Sequence, residues 1–340
     1  YGNFGYLFKG RVPCRSEVNG WGPVPGWTGE HEWDGFIQSS ELPRSKNPDS
    51  GWVVTCNQRV VGHDYQHYLT HMYGTDYRAR RVKDRIGQIS RRKATVADMS
   101  AIHADTTSIP AVVLSAIITK LPQLDGLYLR AARVVKGWDH DLKEDSVAAA
   151  IYEASSREIS KLLATRAYGA LSSGITGEAV DAGAEDHLRR QLKPDFIRRL
   201  NDGSLSDAGY GFETEDLVEK GFKAGVDYLV TRYGVEMEKW RWGEMHQTLH
   251  IHPLARSFPE SADKLNPPRI AAPGDSDVPF ASGSPTAAEF SIKTGPINRY
   301  IHDPSNWSNS RWIVPLGSSG HPASLHFSDQ QGMWAKIETI

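Results

Sequence analysis

A change of hydrophobic period along the chain is the feature that most constrains its fold. Residues 1–77 are dense in glycine, proline and tryptophan and carry short runs typical of strands and turns. Residues 78–245 switch to apolar residues at helical intervals, and residues 246–340 return to strands and loops. This order favours one α+β fold with a helical layer or insertion over a doubly wound sheet.

The helical middle has start and stop signals of its own. Thr95 and Asp98 are spaced like a capping box ahead of an apolar run. The strongest helix is predicted for KEDSVAAAIYEASSREISKLLATRAYGAL, which has acids early and bases late. Two further amphipathic helices are predicted for AEDHLRRQLKPDFIRRL and ETEDLVEKGFKAGVDYLVTRYG, the second ending at Gly234.

The last part of the chain predicts a loop followed by two strands. Residues 264–289 are rich in Pro, Ala, Ser and Gly, which indicates a long surface loop or a mobile segment. The stretches SIKTGPINRYIHD and SRWIVPLG then predict two closing strands.

The net charge, the lengths of the apolar runs and the number of cysteines limit the partners and the disulfide bonds that this chain can have. The formal net charge of −2 gives no reason to expect nucleic acid as a partner. No apolar run approaches the ~18 residues of a membrane span, so we predict no membrane partner, and no signal peptide is visible. Two cysteines, Cys14 and Cys56, are too few for a disulfide scaffold or a zinc site. Spacing alone does not decide whether they form one bridge.

The stretch SGWVVTCNQRVVG, from Ser50 to Gly62, predicts a strand with one unusual residue. Its β-branched and aromatic residues are bounded by glycines, yet Asn57 at its centre is a poor strand former. Taken alone, a buried strand asparagine is usually bonded to neighbouring backbone groups and has only a structural role.

Other candidate sites have plain structural explanations. His246, His250 and His252 in HQTLHIH would share a face in a strand and suggest a metal site, but no carboxylates follow to orient them. The basic cluster over 78–93 lacks the interleaved aromatics of a nucleic-acid site, which favours a solvated helix face. GSSG at 317–320 is typical of a tight turn.

Five ordered motifs resemble the penicillin acylase (penicillin amidase) family of N-terminal nucleophile hydrolases. They are PVPGWTG..EW.G at 23–35, ELP…NP..G at 41–51, T.N.R at 55–59, R..R at 78–81 and G.SG.P.S.H..DQ at 317–330. The helical middle matches through Asp105 and W.WG..H at 240–246. The resemblance covers nearly the whole chain.

The resemblance implies a four-layer αββα sandwich and hydrolysis of linear amides. In such enzymes self-cleavage exposes a serine at the N-terminus of the large subunit, which attacks the amide carbonyl with its own α-amine as base. The chain would be the C-terminal portion, 1–340, of one large subunit. Its substrates would be N-acylated small molecules of the β-lactam, acyl-homoserine lactone or lipopeptide type.

The same resemblance gives two residues a catalytic role. Asn57 falls on the oxyanion-hole asparagine, and Arg78 falls on an arginine that orients this asparagine or shapes its electrostatics. His326, Asp329 and Gln330 match a family motif to which we assign structural work. Cys56 departs from the small residue, often alanine, that commonly precedes the asparagine.

The nucleophile is expected outside this chain, because Tyr1 is not an N-terminal nucleophile. The small subunit and the start of the large subunit would therefore be partners, and the chain alone would be inactive. Some members of the family bind calcium between subunits. Asp64 and His67 both fall near the aligned carboxylate position, and we predict no cofactor or bound metal for this chain. The resemblance implies a periplasmic or extracellular location.

Two alternatives remain beside the acylase interpretation. One is a non-catalytic binding or scaffold protein built on the acylase fold. The other is a metal enzyme centred on His246, His250 and His252.

Overall fold

The computed structural model describes residues 2–16, 19–20, 22–89, 93–168, 194–204, 214–283 and 290–338. The chain divides into two units, Tyr1–Asp84 and Arg85–Ile340, and the boundary falls inside helix α1 (Tyr77–Ile89). Both short strand pairs and helices are present, which agrees with the α+β class.

The described residues of the first unit form one strand pair and a small core. Strands β1 (Gly5–Leu7) and β2 (Arg44–Lys46) pair antiparallel over their whole length. Ile37, Leu42 and Leu69 form the buried cluster, with partly buried hydrophobic side chains packed against it. Most of the unit is turns and extended chain.

The strand predicted over residues 50–62 is wrong as a hydrogen-bonded element. No strand of the described part of the chain pairs with it. Exposure still alternates as in a strand, with residues 51, 53, 55, 57 and 59 exposed and the residues between them half-buried. The difference has two causes. The alternation of side chains is a local property of the sequence, whereas a hydrogen-bonded partner strand is not. In addition, Asn57 has a φ of 69°, which is outside the range of a β-strand.

The second unit is built around helices. After α1 come α2 (Val96–His103), α3 (Ile109–Ile118), α4 (Gly126–Lys136), α5 (Val147–Tyr168), α6 (residues 194–202) and α7 (Thr214–Tyr233). Short helices follow at Trp242–Met245, Pro253–Ser257, Ala262–Leu265 and Gln331–Ala335. Single 3₁₀ turns lie at Met237–Lys239, Pro259–Ser261 and Trp307–Asn309.

Helices α5 and α7 pack against each other and form the centre of this unit. Gly225 of α7 approaches the backbone of Ser155 so closely that an added Cβ would lie 2.6 Å from the Ser155 nitrogen. Ile151 and Phe222 are fully buried there. Each such apolar side chain contributes roughly 1.5–3 kcal/mol of transfer free energy on burial.

The local helix signals are confirmed. The Thr95 hydroxyl accepts from the Asp98 N–H, and the Asp98 carboxylate accepts from the Thr95 N–H at 2.8 Å, so the capping box is complete. Helix α7 ends at Tyr233, directly before Gly234, which has a φ of 84°. The predicted helix over 184–200 is confirmed only from residue 194, because residues 184–193 lie outside the described residues.

The two closing strands are confirmed as an antiparallel hairpin. Strand β3 (Arg299–Ile301) pairs with β4 (Arg311–Ile313), and Tyr300 lies opposite Trp312. Both of these aromatic side chains are more than half exposed, while Ile301 and Ile313 on the other face are buried. The alternation follows from the two-residue period of a strand with one solvated face.

The surface loop predicted over 264–289 is wrong for residues 272–283, most of which are buried. Ala272, Val278 and Phe280 are fully buried. The Gly274 N–H donates to the Leu142 carbonyl at 2.8 Å, and Gly274 in turn accepts from the Trp242 indole at 3.0 Å. Irregular backbone can enter a core when its polar groups are bonded in this way, which composition does not reveal. Residues 284–289 lie outside the described residues.

Candidate active site

Asn57 lies at the end of the extended segment, in a conformation that few residues adopt. Its φ of 69° is in the left-handed region, which asparagine tolerates better than other side-chain-bearing residues. The Gly74 N–H donates to the Asn57 carbonyl at 2.7 Å, and an added Cβ on Gly74 would lie 3.1 Å from the Asn57 Cβ. The close approach of this glycine therefore holds the asparagine in place.

Arg78 reaches Asn57 from the first turn of helix α1. Its Nη2 donates to the Asn57 Oδ1 at 2.9 Å and to the Cys56 carbonyl at 2.9 Å. Because a guanidinium only donates, the oxygen of the Asn57 amide must face it. The amide Nδ2 therefore points away, and it has no acceptor among the described residues. The arrangement leaves a positioned N–H₂ group free to meet a developing negative charge.

Gln58 supports the same turn, and our sequence reasoning missed it. Its Oε1 accepts from the Cys56 N–H at 2.6 Å, and its Nε2 donates to the Val54 carbonyl at 3.1 Å. The Gln58 side chain thus bonds to backbone groups that a neighbouring strand would bond in a β-sheet. The only sequence signal was a second amide side chain directly after Asn57, which by itself does not indicate a supporting role.

Cys56 is a half-buried free thiol beside Asn57, and Cys14 is also free. Burial raises the pKa of the Cys56 thiol, an effect partly opposed by the nearby charges of Arg78 and Lys83. Arg78 bonds to the backbone carbonyl of Cys56 and not to its sulfur. The hydrogen bond from Arg78 therefore does not depend on which side chain residue 56 carries.

The basic cluster over 78–93 is engaged within the protein in several places. Arg85 pairs with the buried carboxylate of Asp105, with Nε 3.3 Å from Oδ2. The Lys83 Nζ lies 5.9 Å from the centre of the Trp52 ring. Together with the bonds of Arg78, these contacts show that the helix carries more than a solvated face. Residues 90–92 lie outside the described residues.

His246, the buried member of the histidine cluster, is held by contacts within the protein. His246 stacks on Trp242 with ring centroids 4.4 Å apart, and its Nδ1 donates to the Phe290 carbonyl at 2.8 Å. Its Nε2 lies 3.0 Å from the Ser282 hydroxyl, so both ring nitrogens are occupied. Burial lowers the pKa of His246 to about 4. Because both ring nitrogens of His246 already have hydrogen-bond partners within the protein, the ring has no free nitrogen for a metal ion.

The other two histidines have separate surroundings. The His252 Nδ1 accepts from the Leu254 N–H at 3.2 Å and caps a short helix. Burial lowers the pKa of His250. No three His, Cys, Asp or Glu side chains converge on a metal position anywhere in the described ranges.

The residues near the aligned calcium position have the following surroundings. The His67 Nε2 lies 3.3 Å from a carboxylate oxygen of Glu41, and it also contacts the amide of Gln66. Asp64 belongs to no group of three or more His, Cys, Asp or Glu side chains that could hold a metal ion among the residues described. We derive no step through calcium.

The motif stretch over 317–330 closes on itself as a loop. The His326 Nδ1 and the Asp329 carboxylate are 2.8 Å apart, and the His326 carbonyl accepts from the Ser319 N–H at 3.0 Å. Gln330 accepts from the Val314 N–H through its side chain at 3.2 Å. These bonds agree with the structural role expected for this motif.

Comparison with known proteins identifies the class of the chain. The family model described as penicillin amidase matches residues 1–340. The penicillin acylase 2 proenzyme of Pseudomonas sp. is 34% identical over 341 residues, which cover 100% of this chain and 42% of that protein. The acyl-homoserine lactone acylase QuiP of Pseudomonas syringae pv. tomato is 27% identical over 353 residues, with 98% and 42% covered.

A solved structure shares the fold. The thermostable penicillin G acylase from Alcaligenes faecalis superposes with a TM-score of 0.56 at 14% identity, covering 99% of this chain and 62% of that chain. The fold is thus the α+β fold of the corresponding part of a penicillin acylase. The chain belongs to the penicillin amidase family, and the resemblance inferred from the five motifs is confirmed.

The chain spans less than half the length of the curated relatives that it matches. No helix among the described residues is both long and apolar enough to cross a lipid bilayer.

Proposed function

We propose that this chain is the C-terminal part of the large subunit of an N-terminal nucleophile amidohydrolase, in which it supplies the side-chain donor of the oxyanion hole. The observation that carries the proposal is the Asn57–Arg78 pair, in which the arginine holds the amide oxygen and leaves Nδ2 free. Family membership supports the reaction class. The names of the relatives support N-acylated small molecules as substrates.

The reaction assigns distinct roles to the two parts of the enzyme. A serine at the N-terminus of the large subunit, on polypeptide outside this chain, gives its hydroxyl proton to its own α-amine and attacks the amide carbonyl. The C–N bond of the substrate then breaks, the amine leaves with that proton, and the acyl-enzyme ester remains. Asn57 Nδ2 donates to the oxygen as it becomes an oxyanion, and Arg78 prevents the amide from rotating. Water then attacks the acyl-enzyme and releases the carboxylic acid, passing through a second oxyanion that the same donor stabilises.

The assembled enzyme would form the four-layer αββα sandwich, with the described strand pairs as a small part of it. It needs no cofactor for this chemistry, since serine, α-amine and oxyanion donors suffice. We place the enzyme in the periplasm or outside the cell, as for the family in general.

The test is to co-express the chain with the part of the Pseudomonas sp. penicillin acylase 2 proenzyme that it does not match. Hydrolysis of a penicillin and of an N-acyl-homoserine lactone is then followed by amine release. Removing one oxyanion donor by Asn57→Ala should lower kcat by ~10²–10³ with little change in KM. Asn47→Ala is the matched control, because Asn47 also has a positive φ (45°) but bonds only to Asn3 and Phe4.

Full activity in Asn57→Ala would overturn the proposed role. A complex that assembles but hydrolyses neither substrate would instead favour a non-catalytic scaffold on the acylase fold.

A further inference from the structure

The half-buried side chain of Gln58 folds back along the segment that leads to Asn57. Its Oε1 accepts from the Cys56 N–H at 2.6 Å, and its Nε2 donates to the Val54 carbonyl at 3.1 Å. In an extended segment, the C=O of one residue and the N–H of the residue two positions later face the same edge. One side-chain amide therefore satisfies two neighbouring backbone groups at once.

The two bonds require the amide of Gln58 in one orientation. A backbone N–H only donates and a backbone C=O only accepts, so rotating the amide by 180° would place donor against donor and acceptor against acceptor. Methionine has a similar length but neither polar group. Asparagine has the same amide on a stem that is one methylene shorter. Position 58 is thus matched to glutamine by both the length and the chemistry of its side chain.

Asn57 lies between two stretches of backbone that are held by these and other bonds. Before it, Gln58 binds the Cys56 N–H, and Arg78 Nη2 donates to the Cys56 carbonyl at 2.9 Å. After it, the Gly74 N–H donates to the Asn57 carbonyl at 2.7 Å. A non-glycine residue keeps a left-handed φ, here 69°, only where surrounding contacts hold it. The bonds on both sides of Asn57 are such contacts.

Gly74 also limits the space into which Asn57 could move. An added Cβ on Gly74 would lie 3.1 Å from the Asn57 Cβ and 3.3 Å from the Asn57 carbonyl oxygen. Both distances are shorter than ordinary van der Waals contact, so the two backbones lie close together here. Asn57 is therefore fixed by its neighbours in space as well as by hydrogen bonds.

We propose that Gln58 is a positioning residue for the oxyanion donor and acts through the backbone of Cys56. Arg78 sets the direction of the Asn57 amide, and Gln58 holds the backbone from which the Asn57 side chain projects. The inference rests on the proposed function, in which Asn57 Nδ2 meets the developing negative charge. Such a donor is effective only when it is oriented before the charge develops. Loss of Gln58 should therefore affect the transition state more than the bound substrate.

Hydrogen exchange in the 340-residue chain tests whether Gln58 holds the turn. The Cys56 amide should exchange at least about tenfold faster in Gln58→Met than in the parent chain, because its acceptor is lost. Gln38→Met is the matched control, since Gln38 is exposed and its side chain has no hydrogen-bond partner among the described residues. Equal exchange of the Cys56 amide in Gln58→Met and the parent would overturn the proposal, whatever the activity.

Kinetics of the co-expressed complex test what holding the turn does for the reaction. The second component is again the unmatched part of the Pseudomonas sp. penicillin acylase 2 proenzyme. Gln58→Met should lower kcat about 10–100-fold and change KM less than about threefold, because a donor displaced by about 1 Å loses much of its effect. Gln38→Met should leave both constants within about twofold. A raised KM with unchanged kcat, or no change in either constant, would overturn the positioning role.

A double-mutant cycle separates positioning from a general loss of structure. If Gln58 acts through Asn57, Gln58→Met should lower kcat by less than about threefold when Asn57→Ala is already present. A general structural defect would instead lower kcat by the same factor in both backgrounds, and that result would overturn the proposal. Melting temperatures establish that each variant folds. Gln58→Asn, which is too short to make both bonds, replaces Gln58→Met if the latter does not fold.

The outcomes distinguish this inference from the proposed function. An active complex in which Asn57→Ala lowers kcat but Gln58→Met does not would keep the proposed function and overturn the inference. A complex that hydrolyses neither substrate would overturn the proposed function. Faster Cys56 exchange in Gln58→Met would still show, in that case, that Gln58 holds the backbone before Asn57.

Discussion

Arg78 holds the amide of Asn57 by its oxygen, with Nη2 2.9 Å from Oδ1, while the same nitrogen donates to the Cys56 carbonyl. One side chain thus positions both the backbone before the asparagine and the asparagine side chain itself. In an oxyanion hole the donor must already be oriented before charge develops, because reorientation during the reaction would reduce its effect. Under the proposed function, this is the role of Arg78, which lies in the first turn of α1 and 21 residues after the asparagine.

Arg78→Met should lower kcat of the assembled enzyme by about 10–100-fold with a smaller effect on KM, because a donor displaced by about 1 Å loses much of its effect. Arg80→Met is the control, since Arg80 is exposed and its nearest carboxylate, Asp76, is 4.0 Å away. Steady-state kinetics with one N-acyl substrate measures both. Equal kcat values in Arg78→Met and the parent enzyme would contradict the positioning role.

Cys56→Ala should leave kcat/KM within about two- to threefold of the parent, roughly 0.5 kcal/mol, because Arg78 bonds to the backbone there. Cys56→Leu adds volume at a half-buried position beside Asn57 and should reduce activity more. The thiol should also react slowly with iodoacetamide near pH 8, because burial raises its pKa. A large loss of activity in Cys56→Ala would show that the sulfur itself takes part.

Gly317→Ala should destabilise the second unit, because an added Cβ would overlap the His326 carbonyl and the Asp329 carboxylate. Overpacking of this kind costs about 1–3 kcal/mol, which thermal unfolding of the two variants would detect. Gly320→Ala in the same loop is the control, since no heavy atom lies within 4 Å of its added Cβ. Similar melting temperatures for both variants would contradict the close packing of this loop.

His246 should make the chain less stable as the pH falls from 6.5 towards 4. Burial lowers its pKa from 6.5 to about 4 in the folded state, so the unfolded state binds more protons in this interval. The free energy of unfolding should therefore decrease by roughly 3 kcal/mol across it from this residue alone. Urea unfolding at several pH values measures the decrease. His246→Gln should show a shallower dependence, and an identical slope would contradict the neutral buried ring.

Local signals in the sequence predicted helices well. The Thr95–Asp98 capping box and the end of α7 before Gly234 both lie where their residues indicate. Such signals succeed because the bonds they describe are formed within four residues of the chain. The strand pair at the end was also predicted, since its alternation is strong.

The sequence-based predictions were wrong where the structure depends on hydrogen bonds between residues that are far apart in the chain. Residues 50–62 have a strand's composition, but a strand needs a neighbour, and the described chain provides none. Residues 272–280 have a loop's composition, yet bonds such as Gly274 to Leu142 carry them into the core. Both outcomes depend on partners far along the chain, which a local pattern does not contain.

The sequence by itself determined the family, the helical middle and the two residues to examine, because ordered motifs and helical periodicity are properties of the chain alone. It did not determine which way the amide of Asn57 faces. The tertiary structure decided that, because the orientation of an amide is set by what lies opposite each of its ends. Arg78 can only donate, so the oxygen faces it and the N–H₂ group remains free.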